Sequence, residues 1–167
     1  MAALRRRPTT AECRHMSAAK VVGKRSPRWA VWARMTIPCK GGLQYLTRLR
    51  IVQTPWFGIY VHDIHEDDGD RCCHNHPWSF ISIVLRGSYT ERLYPNPMGL
   101  VPSEYVLQTH GRFSVHKMGR DTAHRVTYAA PRLKTLILVG PRKATWGFFD
   151  NGEFVEWQDY EEKIGTI

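Results

Sequence analysis

From about Leu49 onward, the chain alternates between short apolar segments and turn residues. The segments are rich in Val, Ile, Tyr, Phe and Trp, and they are separated by Gly, Pro, Asn or Asp. This pattern is typical of β-strands joined by tight turns. The predicted strands span residues 48–53, 57–64, 78–86, 88–94, 103–109, 112–118, 122–129, 133–139, 144–149 and 153–158.

The connections between these strands indicate the class of fold. Nearly every gap is too short for a crossover helix, so the sheets are expected to be antiparallel. Many short antiparallel strands predict a sandwich, a jelly roll or a small barrel. Before them, Pro38 and Gly41-Gly42 indicate a turn, followed by one helical turn, within residues 35–48. After them, Trp157 and Tyr160 are expected on a C-terminal strand that packs on the outside.

Length and composition narrow the class further. A chain of 167 residues with 43% hydrophobic and 23% charged residues is expected to form one globular domain. The longest apolar runs, such as residues 136–139, are far too short to span a bilayer, and no apolar run follows the basic N-terminus. The four cysteines contain no C-x-x-C pair, so we expect reduced thiols in a cytoplasmic protein.

Most of the positive charge lies in an N-terminal arm. The whole chain carries a net +9, and residues 1–28 hold eight basic residues and one acidic residue, which gives +7. The predicted boundary assigns residues 1–34 to this arm and residues 35–167 to the barrel. Thr9 and Glu12 match a capping box, which predicts a short helix there. The arm is interpreted either as a solvated extension or as a contact for nucleic acid through phosphate charges, with no membrane contact.

Two histidines, His74 and His76, are the most specific chemical feature of the sequence. Side chains alternate with period two along a strand, so His-x-His places both imidazoles on one face. Two neutral imidazoles on one face of a barrel are a natural pair of metal ligands, and they need a third from another strand. His124, which begins a strand about fifty residues later, is the best candidate.

These residues resemble the motifs of the cupin superfamily. Its first motif is G-x5-H-x-H-x3-4-E-x6-G, and His74, His76 and Gly87 fall in register with it. In its second motif, G-x5-P-x-G-x2-H-x3-N, His124 takes the histidine position. The resemblance covers roughly residues 45–150 and is nearest to small single-domain bacterial and phage cupins. It implies an all-β cupin double-stranded β-helix, a jelly-roll barrel, that holds a metal with these three histidines.

One departure from the first motif bears on the chemistry. Phe80 stands where most metal-binding cupins have a glutamate ligand, which leaves three histidines and no carboxylate. That set is similar to the three-histidine iron site of thiol dioxygenases such as cysteine dioxygenase. Three neutral imidazoles leave Fe(II) its full charge and open positions for a substrate and dioxygen. The resemblance therefore implies an Fe(II) dioxygenase for a small anionic or thiol-bearing substrate, with zinc, nickel and manganese as alternative metals.

Other residues are candidates beside this site. Arg120 and Arg125 are candidate catalytic residues, because a guanidinium pairs bidentately with an anionic group of a substrate. Tyr128, at the asparagine position of the second motif, is the third candidate, with barrel core as the other interpretation. Three more residues stay open as neighbours of the metal: Glu91, Cys72 and His110. For Glu91, an exposed carboxylate on a strand is the simpler interpretation, and His110 and His116 are expected at the surface or behind the ligands.

Two other classes of function stay open at this point. The resemblance to cupins also allows a sugar or sugar-phosphate isomerase or epimerase, in which His124 or His76 would act as general base. The third alternative is a cupin without catalysis that binds a ligand or a partner through its basic arm. A homodimer is expected, as is common for cupins.

Overall fold

A computed structural model describes residues 29–38, 44–69, 72–95 and 104–163. These ranges hold eleven β-strands and one short α-helix. In chain order they are β1 Ala30–Pro38, β2 Gln44–Gln53, β3 Gly58–Ile64, β4 Phe80–Arg86, β5 Tyr89–Tyr94, β6 Val106–His110, β7 Val115–Met118, β8 Ala123–Ala129, β9 Leu133–Val139, β10 Gly147–Asp150, β11 Glu153–Glu156 and α1 Trp157–Lys163. The arm through residue 28, with the helix predicted near Thr9, lies outside the described residues.

The strands form two antiparallel layers. One is a six-stranded sheet with the order β1-β2-β3-β9-β4-β7. The other contains β6-β5-β8 and the β10-β11 pair, which are joined because His74 forms bridges with both His124 of β8 and Phe148 of β10. Side chains from both layers share one core cluster, in which Val84 and Leu133 pack with Tyr89 of the second layer. Burial of this shared apolar surface holds the two layers together.

The order of pairing identifies the architecture. Eight consecutive segments run from β3, through the bridge at His74, to β9. They pair first with last (β3 with β9), second with seventh (His74 with β8), third with sixth (β4 with β7) and fourth with fifth (β5 with β6). Such nested pairing is that of one long hairpin wrapped into a barrel, which is a jelly roll. The predicted all-β antiparallel fold is therefore confirmed.

Most predicted strands are present, and one further strand, β1, precedes them. The single helical turn predicted within residues 35–48 is wrong, because β1 and β2 pair as antiparallel strands over most of this region. In the sequence, Pro38 and the two glycines indicate a turn, but they give no signal for the strands on either side of it. Strand β1 begins at Ala30, within the range assigned to the arm.

The C-terminal strand predicted at Trp157 and Tyr160 is also wrong. Residues Trp157–Lys163 form a helix, and its Asp159 in the first turn and Lys163 in the last turn complement the helix dipole. The two aromatic rings are three residues apart and therefore share one face of a helix. Tyr160 stacks on Phe148 with ring centroids 4.1 Å apart. This seven-residue helix is too short to cross a membrane, and the described ranges contain no helix that could.

Candidate metal centre

Backbone pairing brings His74 and His124 together. The His74 N–H donates to the His124 carbonyl, and the His124 N–H donates to the His74 carbonyl, each at 2.9 Å. Directly paired residues of antiparallel strands point their side chains to the same face. His76 follows two positions after His74 and therefore returns to that face. The three predicted ligands are thus brought together by local sheet geometry, as the sequence predicted.

The three imidazoles converge at ligand distance. The Nε2 atoms of His76 and His124 lie 2.8 Å apart, and one ligand nitrogen from each of the three histidines lies within 4.8 Å of the others. Nitrogen ligands bound at about 2.1 Å to one ion lie about 3.0–3.4 Å apart. The histidine cluster, His74, His76 and His124, therefore fits a transition-metal ion with only small side-chain rotations.

A buried carboxylate fixes the orientation of His124. Glu91 is 0% exposed, and its Oε2 accepts a hydrogen bond from His124 Nδ1–H at 2.5 Å. A proton on Nδ1 leaves the lone pair of Nε2 directed towards His76. Metal-binding histidines usually donate their other ring N–H to a carboxylate, which fixes the tautomer and raises the basicity of the ligand. The expectation that Glu91 is exposed is wrong, and the structure gives it this orienting position.

The other oxygen of Glu91 faces two further histidines. His110 Nε2–H donates to Oε1 at 2.7 Å, and His116 Nε2 lies 4.0 Å from the same oxygen. Burial alone would raise the pKa of Glu91, but hydrogen bonds from His110 and His124 lower it to about 2. Glu91 is therefore a carboxylate at neutral pH. His110 is 3% exposed, so its predicted place at the surface is wrong and its place behind a ligand is correct.

The surroundings of His76 keep its imidazole neutral. Burial, followed by the charges of His124 and His74, lowers the pKa of His76 well below its ordinary value. A neutral imidazole is the form that binds metals. Asp68, which is 4% exposed, accepts hydrogen bonds from the Tyr45 hydroxyl at 2.6 Å and from the Val126 N–H at 2.6 Å. Burial disfavours its charge, but the proximity of His74 and these hydrogen bonds lower the pKa of Asp68.

Aromatic rings wall the cluster on two sides. Phe80, at the position where the cupin motif has glutamate, packs edge-on against His76 with ring centroids 4.9 Å apart. Phe148 packs against His74 with ring centroids 5.7 Å apart. Both phenylalanines are buried. Such walls exclude water and stiffen the ligands, but they add no donor atom, so the ligand set stays purely imidazole at this position.

A partly buried cation, Arg48, lies near the cluster. Arg48 Nε–H donates to His62 Nε2 at 2.9 Å, and its guanidinium lies over the Tyr60 ring. Burial lowers the pKa of Arg48 to about 10, and its charge contributes to lowering the pKa of His76. Among the described residues, no carboxylate lies within salt-bridge distance of Arg48. Sequence reasoning missed Arg48, although its alternation with Leu46 and Arg50 placed it on one face of a strand.

The predicted catalytic residues make contacts away from the histidine cluster. Arg120 pairs with Asp121 at 3.3 Å, and its side chain is 41% exposed. Arg125 donates to the Gly69 carbonyl, and Tyr128 is 52% exposed. Their catalytic roles stay predictions, and the interpretation of Tyr128 as barrel core is wrong.

The two cysteines beside the histidines are buried, as small side chains in the core. Cys72 lies near Asp150, with 3.9 Å between Sγ and Oδ1, and packs in a cluster with Phe148 and Tyr160. Cys73 packs with Tyr94 and other residues of a second cluster. Neither cysteine belongs to a group of side chains that could hold a metal ion among the described residues.

Comparisons with known proteins concern the fold. No family model and no curated protein matches the sequence. An uncharacterised conserved protein with a double-stranded β-helix domain from Klebsiella pneumoniae is 14% identical, with a TM-score of 0.48 over 68% of this chain and 90% of that chain. KdgF from Halomonas sp. is 16% identical, with a TM-score of 0.45 over 59% of this chain and 82% of that chain. Hydroxypropylphosphonic acid epoxidase from S. wedmorenis is 18% identical, with a TM-score of 0.46 over 64% of this chain and 55% of that chain.

The nested pairing of eight segments, with His-x-His at the segment between β3 and β4, decides the fold. It is a double-stranded β-helix, a jelly-roll barrel. In this barrel the three motif histidines lie on the second layer and at its connection to β4. The prediction of the fold from the two motifs is confirmed.

The barrel is expected to be sensitive to acid through His116. Burial, followed by the charge of His110, lowers the pKa of His116 to about 4 from 6.5. The unfolded chain therefore takes up this proton first as the pH falls, so the free energy of unfolding decreases between about pH 6.5 and about pH 4. We expect a slope of about 0.5–1 kcal/mol per pH unit, less than the about 1.4 kcal/mol of a complete proton, because the side chain keeps 11% exposure.

Urea unfolding with a chelator present, from about pH 7 to about pH 4.5, measures this slope. In His116→Gln the amide does not titrate, so the dependence of the free energy of unfolding on pH should become shallower by the contribution expected of His116. His65→Gln, at an exposed position, is the matched control and should follow the wild type. Equal slopes for wild type and His116→Gln would show that His116 does not cause the acid sensitivity.

Proposed function

We propose that this protein is a metal-dependent enzyme that oxygenates a small anionic or thiol-bearing substrate at an iron(II) ion held by His74, His76 and His124. The observation that carries the proposal is the convergence of three imidazoles, one of which is oriented by the buried Glu91. Imidazole is a ligand suited to iron, zinc, copper and nickel. An oriented ligand with a fixed tautomer supports a metal site better than three histidines that merely pack together.

The residues around the ion would have distinct roles. Three neutral imidazoles would leave iron(II) its full charge and open positions, and the ion would supply the redox chemistry that dioxygen requires. Glu91 holds the Nδ1 proton of His124, so that Nε2 stays a lone-pair donor. Phe80 and Phe148 exclude water from two sides of the cluster. Exclusion of water strengthens the electrostatic interactions within the site.

The charge and position of Arg48 support the proposal that the substrate is anionic. A partly buried guanidinium without a carboxylate partner among the described residues is unfavourable, because its partial desolvation is not offset by an opposite charge. Its Nε is engaged by His62, and its guanidinium lies close enough to His76 to lower the pKa of that ligand. An anionic group bound at Arg48 would offset this cost and place the rest of a small substrate near the ion.

Replacing Arg48 tests this assignment. In Arg48→Met, the KM for an anionic substrate should rise by about 10- to 100-fold, the value expected for hydrogen bonds to a charged group. The metal content should stay unchanged. The free energy of unfolding should stay equal or rise, since Met removes a partly buried charge while keeping most of the apolar volume. Arg86→Met, at an exposed position of β4, is the matched control and should leave KM unchanged.

The proposed reaction is tested by oxygen uptake. Full-length protein without a His-tag is stripped of metal, loaded anaerobically with Fe(II) and mixed with small thiols and small carboxylates, among them cysteine and 3-mercaptopropionate, in an oxygen electrode. We expect uptake that requires Fe(II) and is lost in His74→Ala and His124→Ala. Iron-loaded protein that consumes no dioxygen with any of these compounds but interconverts sugar phosphates would contradict the oxygenase and favour the isomerase.

A further inference from the structure

Three ligand-type side chains lie behind His124, outside the histidine cluster. They are Glu91 of β5, His110 at the end of β6 and His116 of β7. One ligand atom from each lies within 4.8 Å of the others. We call this set the inner group. It shares only Glu91 with the surroundings of the histidine cluster, and Glu91 directs one carboxylate oxygen to each side.

The distances inside the inner group are close to those of a metal site. His110 Nε2 and His116 Nε2 lie 2.7 Å and 4.0 Å from Glu91 Oε1. Ligand atoms bound to one ion at about 2.1 Å lie about 3.0–3.4 Å apart, so His116 would have to move closer to Glu91. Binding through His110 Nε2 would also require its proton to move to Nδ1, in place of the hydrogen bond to Glu91. The two imidazole rings are stacked with centroids 3.8 Å apart, which keeps both close to the same carboxylate oxygen.

A cation on this side would add to the hydrogen bonds that already compensate the charge of Glu91. Glu91 is 0% exposed, and its ionic partners within 4 Å among the described residues are imidazoles alone, with no Lys or Arg. A buried carboxylate is costly unless an opposite charge or strong hydrogen bonds compensate it. His124 is neutral when its Nε2 binds a metal. The remaining compensation then has to come from the side of His110 and His116.

We propose that Glu91, His110 and His116 form a second metal site, of the two-histidine, one-carboxylate type, that binds a divalent transition-metal ion such as zinc. This ligand set is one that proteins use for zinc and for non-haem iron. The site does not depend on the reaction proposed above. It differs from the histidine cluster in its donor set, which contains a carboxylate, and in its burial behind the first layer of ligands.

The shared carboxylate couples the two sites. An ion in the inner group would bind Oε1 of Glu91, while Oε2 keeps the hydrogen bond from His124. The ion would withdraw charge from the carboxylate, so His124 would become a weaker ligand. By linkage, each ion lowers the affinity of the other by the same factor. Removal of the inner group is therefore expected to tighten metal binding at the histidine cluster.

Counting bound metal tests the proposal. Full-length protein without a tag is unfolded in urea, stripped with a chelator and refolded with zinc, because the buried inner group would load slowly in the folded state. Bound zinc is counted by elemental analysis, and a parallel cobalt(II) sample reports each site by its absorption spectrum. Four proteins are compared: wild type, His74→Ala, His116→Gln and the double variant. Zinc that the double variant retains is subtracted as binding elsewhere.

We expect two equivalents in the wild type, one in each single variant and distinct cobalt spectra for the two variants. One equivalent in the wild type, lost in His74→Ala and kept in His116→Gln, would overturn the proposal and make the inner group a hydrogen-bond network. One equivalent that His116→Gln loses and His74→Ala keeps would support the inner site and contradict the ligand assignment of the histidine cluster. The two hypotheses therefore fail separately.

Tyr89 provides a second variant that does not remove a ligand. Its hydroxyl is hydrogen-bonded to His116 Nε2 at 2.9 Å and so competes with a metal ion for that nitrogen. Tyr89→Phe should keep both equivalents and tighten the inner one several-fold in a competition titration with a zinc chelator. Unchanged or weaker binding of the inner equivalent would contradict coordination through that nitrogen. This test stands even if His116→Gln fails to fold.

Discussion

Glu91→Gln is expected to lower the affinity of the histidine cluster for zinc or cobalt(II) by about 10- to 100-fold, the usual effect of losing the group that orients a metal-bound histidine. The carboxylate accepts N–H bonds from His124 at 2.5 Å and from His110 at 2.7 Å. A neutral amide has one oxygen that accepts, and its NH₂ group opposes the other imidazole N–H. The substitution also removes the negative charge that raises the basicity of His124.

The measurement is a competition titration in the His116→Gln background, so that only the histidine cluster is titrated. Glu156→Gln, an exposed carboxylate of β11, is the matched control and should bind as tightly as its parent. Nitrogen-15 NMR of the metal-free protein gives the tautomer of His124 directly. Unchanged affinity together with an Nδ1–H tautomer in Glu91→Gln would show that Glu91 does not orient this ligand.

His124→Ala and His74→Ala should both abolish retention of a metal at the histidine cluster, and they should differ in the stability of the metal-free protein. Of these two histidines, His124 is the one that donates to Glu91, so its removal leaves one side of a buried carboxylate without its hydrogen bond. Such an unsatisfied buried group costs about 1–3 kcal/mol, and more when it is charged. His74→Ala loses ring contacts with Phe148 and His76 but leaves Glu91 unchanged.

Elemental analysis after gel filtration measures retention, in the His116→Gln background as above, and urea unfolding with a chelator measures stability. His65→Ala, an exposed histidine, is the control for both measurements. Full metal occupancy in either variant would refute that residue as a ligand. Equal losses of stability in His74→Ala and His124→Ala would contradict the specific role of His124 towards Glu91.

The sequence predicted the three candidate ligands because each lies in a recognisable motif. His-x-His fixes two side chains on one face by alternation, and the second motif supplies His124 for direct backbone pairing with His74. Phe80 likewise lies beside the site, as its place in the motif predicts. Sequence reasoning therefore grouped the right residues, whereas coordination of a metal, the homodimer and the contact of the arm with nucleic acid stay predictions.

The same reasoning failed at Tyr128 because its side-chain direction depends on an irregularity of the sheet. The ladder between β5 and β8 shifts register between Thr90 and Glu91, so that Glu91 pairs with Val126 while Thr90 pairs with Tyr128. A bulge of this kind redirects side chains relative to simple alternation. The extra residue lies in β8, so Tyr128 is left half exposed, whereas Glu91 is buried on the same face of β5 as Tyr89, as simple alternation predicts. No pattern in a single strand shows where a partner strand will slip.

The sequence by itself predicted the antiparallel all-β class and the histidine cluster, because alternation, short turns and motif spacing can be read along the chain; the jelly-roll barrel followed from the resemblance of its motifs to those of the cupins. Only the tertiary structure decided that Glu91 is buried between two groups of histidines, that Arg48 is a partly buried cation and that the last segment is a helix against Phe148. Each of these depends on which segments pack together and in which register. Burial and the charges that surround a side chain are set by that packing, so they become visible only in the folded barrel.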